Sequence, residues 1–342
     1  MSGYDHLDES AVRVRPSRRG SRPRTKERPA HKDAQEALVT AVDRGRYTTR
    51  LDGRPVTAMR ARELGRKSIV VGDHVGLVGD ISGGPDALAR IVRVLPRSSV
   101  LRRSADDSDR VERVIVANAD QMVLVTALAD PEPRPRMIDR CLVAAYDAGL
   151  DPLLVLTKSD LASPDELLEI YRPLNVPYVV TSLDPSGGHG MGVDTVREHL
   201  RDRISVLVGH SGVGKSTLVN ALVPDALRTT GVVNDVTGRG RHTSSSAVAL
   251  ELPGGGWVVD TPGVRSFGLG HVDPGSFIEH FPDLAEGAEQ CPRGCSHDEP
   301  GCALDAWVAS GRAGAFGAAR LESLRRLLRS RTGESADGGG IS

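Results

Sequence analysis

The stretch GHSGVGKST, residues 209–217, restricts the fold of this chain more than any other. It follows the apolar run ISVLV and opens the run STLVNAL. Gly209-x4-Gly214-Lys215-Ser216 between a strand and a helix is a phosphate loop. Its glycines let successive N–H groups point into one concavity, where a β-phosphate fits. Lys215 is placed to reach the β- and γ-phosphates, and the Ser216 hydroxyl to bind Mg²⁺. Gly209, His210, Ser211, Gly212, Val213, Gly214, Lys215, Ser216 and Thr217 are all assigned to nucleotide contact, mostly through backbone. The His210 side chain is given no role.

Downstream, WVVD ends an apolar strand and runs into Asp260-Thr261-Pro262-Gly263, a D-x-x-G. Asp260 at that strand end would hold Mg²⁺ through water, and the Gly263 N–H would sense a γ-phosphate. Between the two motifs lies TGRGRHTSSS, residues 237–246, with the composition of a mobile switch loop. Such a loop gives a hydroxyl to Mg²⁺; Thr243 and Ser244 are both candidates, and the sequence does not choose between them. Arg239 and Arg241 face phosphates or solvent equally well. After D-x-x-G stands Val264, which cannot orient a water, so hydrolysis is expected to be slow. His242 is the best local candidate for the missing catalytic group.

Well before all of this comes LLVLTKSD. An apolar strand ending in T/N-K-x-D is how many GTPases read guanine, but usually downstream of the phosphate loop. Read alone, Thr157-Lys158-Ser159-Asp160 is equally the start of a helix. Read with its neighbours, Asp160 accepts from the N1–H and the exocyclic amine of guanine, and Lys158 covers the base plane. Adenine would leave that carboxylate unpaired, a discrimination of roughly 10⁴–10⁵. Thr181-Ser182 at the end of YVVTS fits the accessory motif that offers a backbone N–H to guanine O6. The order is base reader, accessory motif, phosphate loop, switch I, switch II. Rotating an ordinary GTPase sequence produces that order, and a sheet fold tolerates such a cut.

The surrounding texture agrees. QMVLVTAL, DPLLVLT and VPYVV read as buried strands alternating with the helical PRMIDRCLVAAYDAGL and SPDELLEIYRPL. That alternation means a parallel doubly wound sheet. Met137, Ile138, Cys141, Leu142 and Ala145 share a helix face, so Cys141 reads as buried. Ser163 and Pro164 suit the N-cap and first position of the second helix. From residue 36 to 103, five short β-like runs alternate with Gly and Asp-Gly turns. They read as a small antiparallel barrel of OB type, an oligonucleotide-binding scaffold, though an SH3-like barrel has a similar pattern.

Cys291-x3-Cys295-x-His297-x4-Cys302 supplies three thiolates and an imidazole, a closed tetrahedral set typical of one structural Zn²⁺. A segment this short has little core of its own, so the metal would fold it. The final AARLESLRRLLRSRT is an amphipathic helix with Leu321, Leu324, Leu327 and Leu328 on one face. Arg320, Arg325, Arg326, Arg329 and Arg331 are either a solvated face or an RNA contact.

The formal net charge of −1 conceals a basic N-terminal arm, RVRPSRRGSRPRTKERPAHK. This Pro- and Arg-rich segment cannot bury a core and reads as disordered, a solvated tail or an arm for nucleic-acid phosphates. The density of arginine favours the second. No apolar stretch approaches the length of a membrane span and no secretory h-region is visible, so the cytoplasm and no membrane contact are expected.

The motifs VVGDHV, ANADQMVLV, TKSD, GHSGVGKST, GRGRHTSSS, DTPGVRSFGL and CPRGCSHDEPGCAL stand in an order that resembles the RsgA/YjeQ family of circularly permuted GTPases. The resemblance covers about residues 36 to 330. It implies an OB barrel (36–110), a circularly permuted P-loop GTPase domain with helices on both faces of a parallel sheet (111–285), and a helical zinc-binding domain (286–332). Residues 1–35 and 333–342 would be tails. It further implies a monomeric late maturation factor of the 30S ribosomal subunit, binding 16S rRNA and GTP or GDP, with hydrolysis stimulated by the subunit. It also supports His242 as the catalytic residue. The chain departs from the family in several places. Thr157 stands where many members have Asn, and Ser244 and Ser245 replace threonines. Both zinc spacings are one residue shorter, and the basic arm lies outside the family core. Two other classes compete: an RNA-binding module that keeps GTP as a structural ligand, and a P-loop kinase or transport ATPase, which TKSD argues against.

Overall fold

A computed structural model describes residues 31–64, 69–104, 112–182, 190–223, 247–261, 269 and 277–332. Five strands form the barrel: β1 (Gln35–Asp43), β2 (Arg46–Leu51), β3 (Arg54–Arg60), β4 (His74–Gly79) and β5 (Ala89–Val94). Arg44-Gly45 and Asp52-Gly53 make the first two hairpins, and all four residues have positive φ. Two-residue turns of that kind match the right-handed twist of the flanking strands. The barrel closes through two further pairings, β1 with β4 antiparallel and β3 with β5 parallel, Ala58 opposite Ala89. Val39, Val56, Val75 and Ile91 fill its interior and are fully buried. The five-stranded barrel expected from the turn spacing is therefore present. The hairpin β6 (Val100–Ser104) and β7 (Glu112–Ala117), which follows it as a separate two-stranded sheet, was not foreseen.

The second body is built on β8 (Gln121–Ala127), β9 (Asp151–Thr157), β10 (Tyr178–Val180), β11 (Ile204–Val208), β12 (Val248–Glu251) and β13 (Trp257–Asp260). Their order is β10-β9-β8-β11-β13-β12, parallel except for β12, which is antiparallel to β13. The helices α1 (Pro135–Asp147), α2 (Asp165–Tyr171), α3 (Val193–Leu200) and α4 (Lys215–Leu222) connect them. Side chains along β8 alternate between the two faces. Met122 and Leu124 join one buried cluster with α1 and α2, and Val123 and Val125 join another with α3 and α4. Strand order reverses between β8 and β11. Chain connection is broken there, which makes the carboxyl ends of these two strands the natural ligand crevice. Permutation has moved β8–β10 ahead of β11 in sequence without moving them in the sheet.

Barrel and sheet are joined tightly. β1 pairs with β12 through Ala41 and Val248. The ANADQ and VVGDHV motifs meet beside that contact. The Asn118 amide donates to the Gly72 carbonyl at 2.8 Å, and its oxygen accepts from the Ser98 N–H at 2.8 Å. Asp73, fully buried, accepts from Arg97 at 2.7 Å and from the Val70 N–H at 2.8 Å.

The C-terminal body holds the helices Pro282–Ala288, Ala303–Ala309 and Gly317–Thr332. Leu321, Leu324, Leu327 and Leu328 of the last helix are buried, as its periodicity requires. The four arginines whose side chains are described are partly exposed and make contacts within the chain. Arg320 bonds to Asp283 and the Pro173 carbonyl, and Arg325 to Asp305 and the His297 carbonyl. Arg326 pairs with Asp139 and Arg329 with Asp298. The planar guanidinium fork matches carboxylates and carbonyls, so these groups tie elements together.

Two local expectations shift. α2 starts one residue later than foreseen: Pro164 is its N-cap, and Ser163 Oγ accepts from the Asp165 N–H at 3.3 Å. On α1, Cys141 is buried as expected, but Met137 is only partly covered, and Asp139, 2% exposed, enters the core. No helix among the described residues is long and apolar enough to cross a membrane.

Candidate nucleotide site and metal centre

The phosphate loop leaves β11 at Gly209 and enters α4 at Gly214. A Cβ on Gly209 would lie 2.4 Å from the Val125 carbonyl oxygen, so only glycine lets the loop pass this close to β8. Gly214, with φ +88, is the N-cap of α4 and turns the first amides of that helix toward the loop's concavity. Ser216 is exposed in the first helical turn.

TKSD lies directly beside it. Thr157 ends β9, is 1% exposed, and donates its hydroxyl to the Val213 carbonyl at 2.6 Å. The Lys158 ammonium donates to the Asp130 carbonyl in the loop after β8. Asp160 is exposed and accepts from the Ser182 hydroxyl at 2.9 Å. The amides of the accessory motif are engaged within the protein: Thr181 N–H donates to Leu156 at 2.7 Å and Ser182 N–H to Met191 at 3.3 Å. Ser182 thus meets Asp160 through its hydroxyl.

Asp260 ends β13 opposite Leu207 of β11. Its Oδ1 is buried and has no hydrogen-bond partner among the described residues. A buried carboxylate oxygen left unpaired is costly. That vacancy in its bonding suits a hydrated cation beside the phosphates. His210 is a second surprise: Nδ1 contacts the Ser211 carbonyl at 2.8 Å, while Nε2 is buried and has no partner among the described residues. The sequence contained no signal for this. His242, Thr243, Ser244 and Gly263 lie outside the described residues.

Away from the crevice, Cys291, Cys295, His297 and Cys302 converge, with all four ligand atoms within 4.8 Å of one another. Cys291 Sγ lies 3.7 Å from Cys302 Sγ and 3.6 Å from His297 Nδ1, and the latter two are 3.9 Å apart. A tetrahedron with bonds of about 2.3 Å has edges of about 3.8 Å, so a metal ion fits, whereas a disulfide would need about 2.0 Å. Burial pushes the thiols of Cys295 and Cys302 up and the His297 imidazole down. The imidazole is therefore ready as a neutral ligand, and a cation must drive the thiols to thiolates. The His297 N–H donates to Cys295 Sγ at 3.4 Å, and Arg325 holds the His297 carbonyl at 2.9 Å.

A family model described as RsgA GTPase matches residues 94–270, from the end of the barrel through the D-x-x-G strand. The chain belongs to the RsgA GTPase family. It is a GTPase, and the rotated motif order is the family's own. A relative from Chlorobaculum parvum, named small ribosomal subunit biogenesis GTPase RsgA, is 40% identical over 284 residues, 80% of this chain and 89% of the relative. One of the same name from Pseudomonas putida is 40% identical over 271 residues, covering 77% and 75%. Among solved structures, YjeQ from Thermotoga maritima superposes with a TM-score of 0.63 at 29% identity, covering 88% of this chain and 99% of that one. YloQ, described as a circularly permuted GTPase, gives 0.62 at 22% identity, covering 90% and 98%, a likeness of fold.

Proposed function

We propose that this GTPase acts in late maturation of the small ribosomal subunit, binds 16S rRNA, and hydrolyses GTP when the 30S particle stimulates it. The observation that carries the reading is the Thr157–Val213 hydrogen bond, which fastens the upstream base motif to the downstream phosphate loop. The names of the relatives supply the ribosomal part.

GTP would lie across the carboxyl ends of β9, β8 and β11. Asp160, steadied by Ser182, takes the two donors of guanine, and the Lys158 stem covers the base. Phosphate-loop amides cradle the β-phosphate, and Lys215 spans the β- and γ-phosphates. Ser216, Asp260 and a hydroxyl of Thr243 or Ser244 would hold Mg²⁺, which would neutralise phosphate charge. His242 would orient the attacking water in place of a residue at Val264, and Gly263 would sense the γ-phosphate. The Cys3His set would hold one structural Zn²⁺. The barrel and the basic arm are the surfaces for rRNA. We further propose that the protein is monomeric and cytoplasmic.

The test is GTP turnover by the purified chain, alone and with 30S subunits, 50S subunits or free 16S rRNA. Slow turnover that rises steeply with 30S alone is expected. Flat turnover with tight RNA binding would replace this reading with an RNA-binding module that holds GTP only as a structural ligand.

A further inference from the structure

We infer that the turn Asp130-Pro131, in the loop from β8 to α1, is a positioning element for the nucleotide, setting the base-reading lysine and the phosphate loop relative to each other. The inference rests on the reading of TKSD and GHSGVGKST as one guanine-nucleotide site.

One contact and one close approach meet at this turn. The Lys158 ammonium donates to the main-chain carbonyl of Asp130. The adjoining Pro131 ring neighbours the phosphate loop: a side-chain carbon added at Gly212 would stand 3.6 Å from Pro131 Cδ. The turn itself is set by β8, whose end is fixed by the Leu128 N–H donating to the Thr157 carbonyl at 2.9 Å. A lysine stem makes a flat cover for a purine only while its ammonium is held, because a free four-carbon chain samples many rotamers. Here the holder is a carbonyl whose own loop bears on the phosphate loop. The base cover and the phosphate cradle are thus arranged before the nucleotide arrives, which lowers the ordering cost of binding.

The donor atom belongs to the side chain of Lys158 but the acceptor to the backbone of Asp130, and this separates the inference from a rival. Asp130 has φ +41, a conformation that Asn tolerates and a β-branched residue does not. Asp130→Asn keeps the turn and its carbonyl and loses only the carboxylate. Asp130→Val forces the turn to rearrange. A charge-assisted hydrogen bond and the order it imposes correspond to about tenfold in affinity.

The experiment measures GDP dissociation constants and off-rates by fluorescence for the full chain and for Asp130→Asn, Asp130→Val, Lys158→Ala and the double variant Asp130→Val/Lys158→Ala, with kcat at saturating GTP alongside. Expected results are Asp130→Asn within about twofold of the parent, and Asp130→Val about tenfold weaker through faster release. In the Lys158→Ala background, Asp130→Val should add less than about twofold, because the shared interaction is already gone. Equal losses in Asn and Val would assign the effect to the carboxylate and overturn the inference. So would full multiplication of the Val and Ala effects, or no loss in Val. Should Asp130→Val fail to fold, Pro131→Gly, which removes only the ring against Gly212, takes its place in the same cycle with the same criteria. A parent chain that fails to bind GDP would instead defeat the nucleotide-site reading itself.

Discussion

The Thr157 hydroxyl stands 2.6 Å from the Val213 carbonyl oxygen, joining a base motif to a phosphate loop that follows it 56 residues later. Here a threonine at the first position of the motif makes the tether. Thr157→Val, nearly the same shape, would leave a buried carbonyl without its donor at about 1–3 kcal/mol. GDP affinity should fall about tenfold with the fold retained, and Thr157→Ser should keep it within about twofold. Calorimetric titration with GDP checks both; an unaffected valine variant would make the bond incidental.

Arg326 and Asp139 form a pair between the C-terminal and sheet bodies, from the last helix to α1, at 3.0 Å. Burial holds the Asp139 carboxyl above its usual range, opposed by the charge of Arg326. Arg326→Met removes that opposition and strands a buried carboxylate, at about 3–5 kcal/mol near neutral pH. A raised folded-state pKa means that the folded chain holds this proton more tightly than the unfolded chain. The group's favourable contribution is then complete below the unfolded pKa and is lost as pH climbs through the folded one. Thermal melts of Arg326→Met should therefore recover toward the parent as pH falls from about 7 to 5. A deficit independent of pH would contradict the assignment. Asp139→Leu should cost less, since the Arg326 side chain is 30% exposed and can turn to water.

These two pairs mark the limit of what the sequence discloses. The phosphate loop, the strands β8 to β10 and the barrel turns were all legible, because apolar runs, glycine spacing and Asp-Gly pairs act locally. Asp139 was not, since a charged residue on α1 reads as solvent-facing until a partner 187 residues away is brought to it. The partners of the last helix's arginines were hidden for the same reason. The hold on Lys158 comes from a main-chain carbonyl, which no residue type encodes. Ser182 was placed in the site, but through its amide and not its hydroxyl, because only the Met191 contact shows that the amide is occupied.

The joint of barrel and sheet should be intolerant of change. A Cβ at Gly72 would sit 1.9 Å from the Ala117 carbonyl oxygen, and its φ is +89. Gly72→Ala must displace backbone, so a loss beyond about 4 kcal/mol or insoluble expression is expected. A soluble variant melting within about 2 °C of the parent would show that the joint yields.

The metal centre should organise its own segment. Elemental analysis should find one zinc per chain, and Cys302→Ala should lose it. Chelation should open residues 291–302 to proteolysis, since besides the metal they are held mainly by Arg325, Arg329 and the buried Cys302. Full protease resistance without metal would refute a structural role.

The central claim is that TKSD, though upstream, reads the base of the nucleotide held by the downstream loop. The most direct measurement is competitive binding of GDP, XDP and ADP to the parent chain and to Asp160→Asn. Asparagine presents a donor where aspartate presents an acceptor, so the change should move preference from guanine to xanthine. The account predicts a parent that binds GDP far more tightly than XDP or ADP, and a variant that prefers XDP. A parent indifferent between GDP and ADP, or a variant that still prefers GDP, would contradict it.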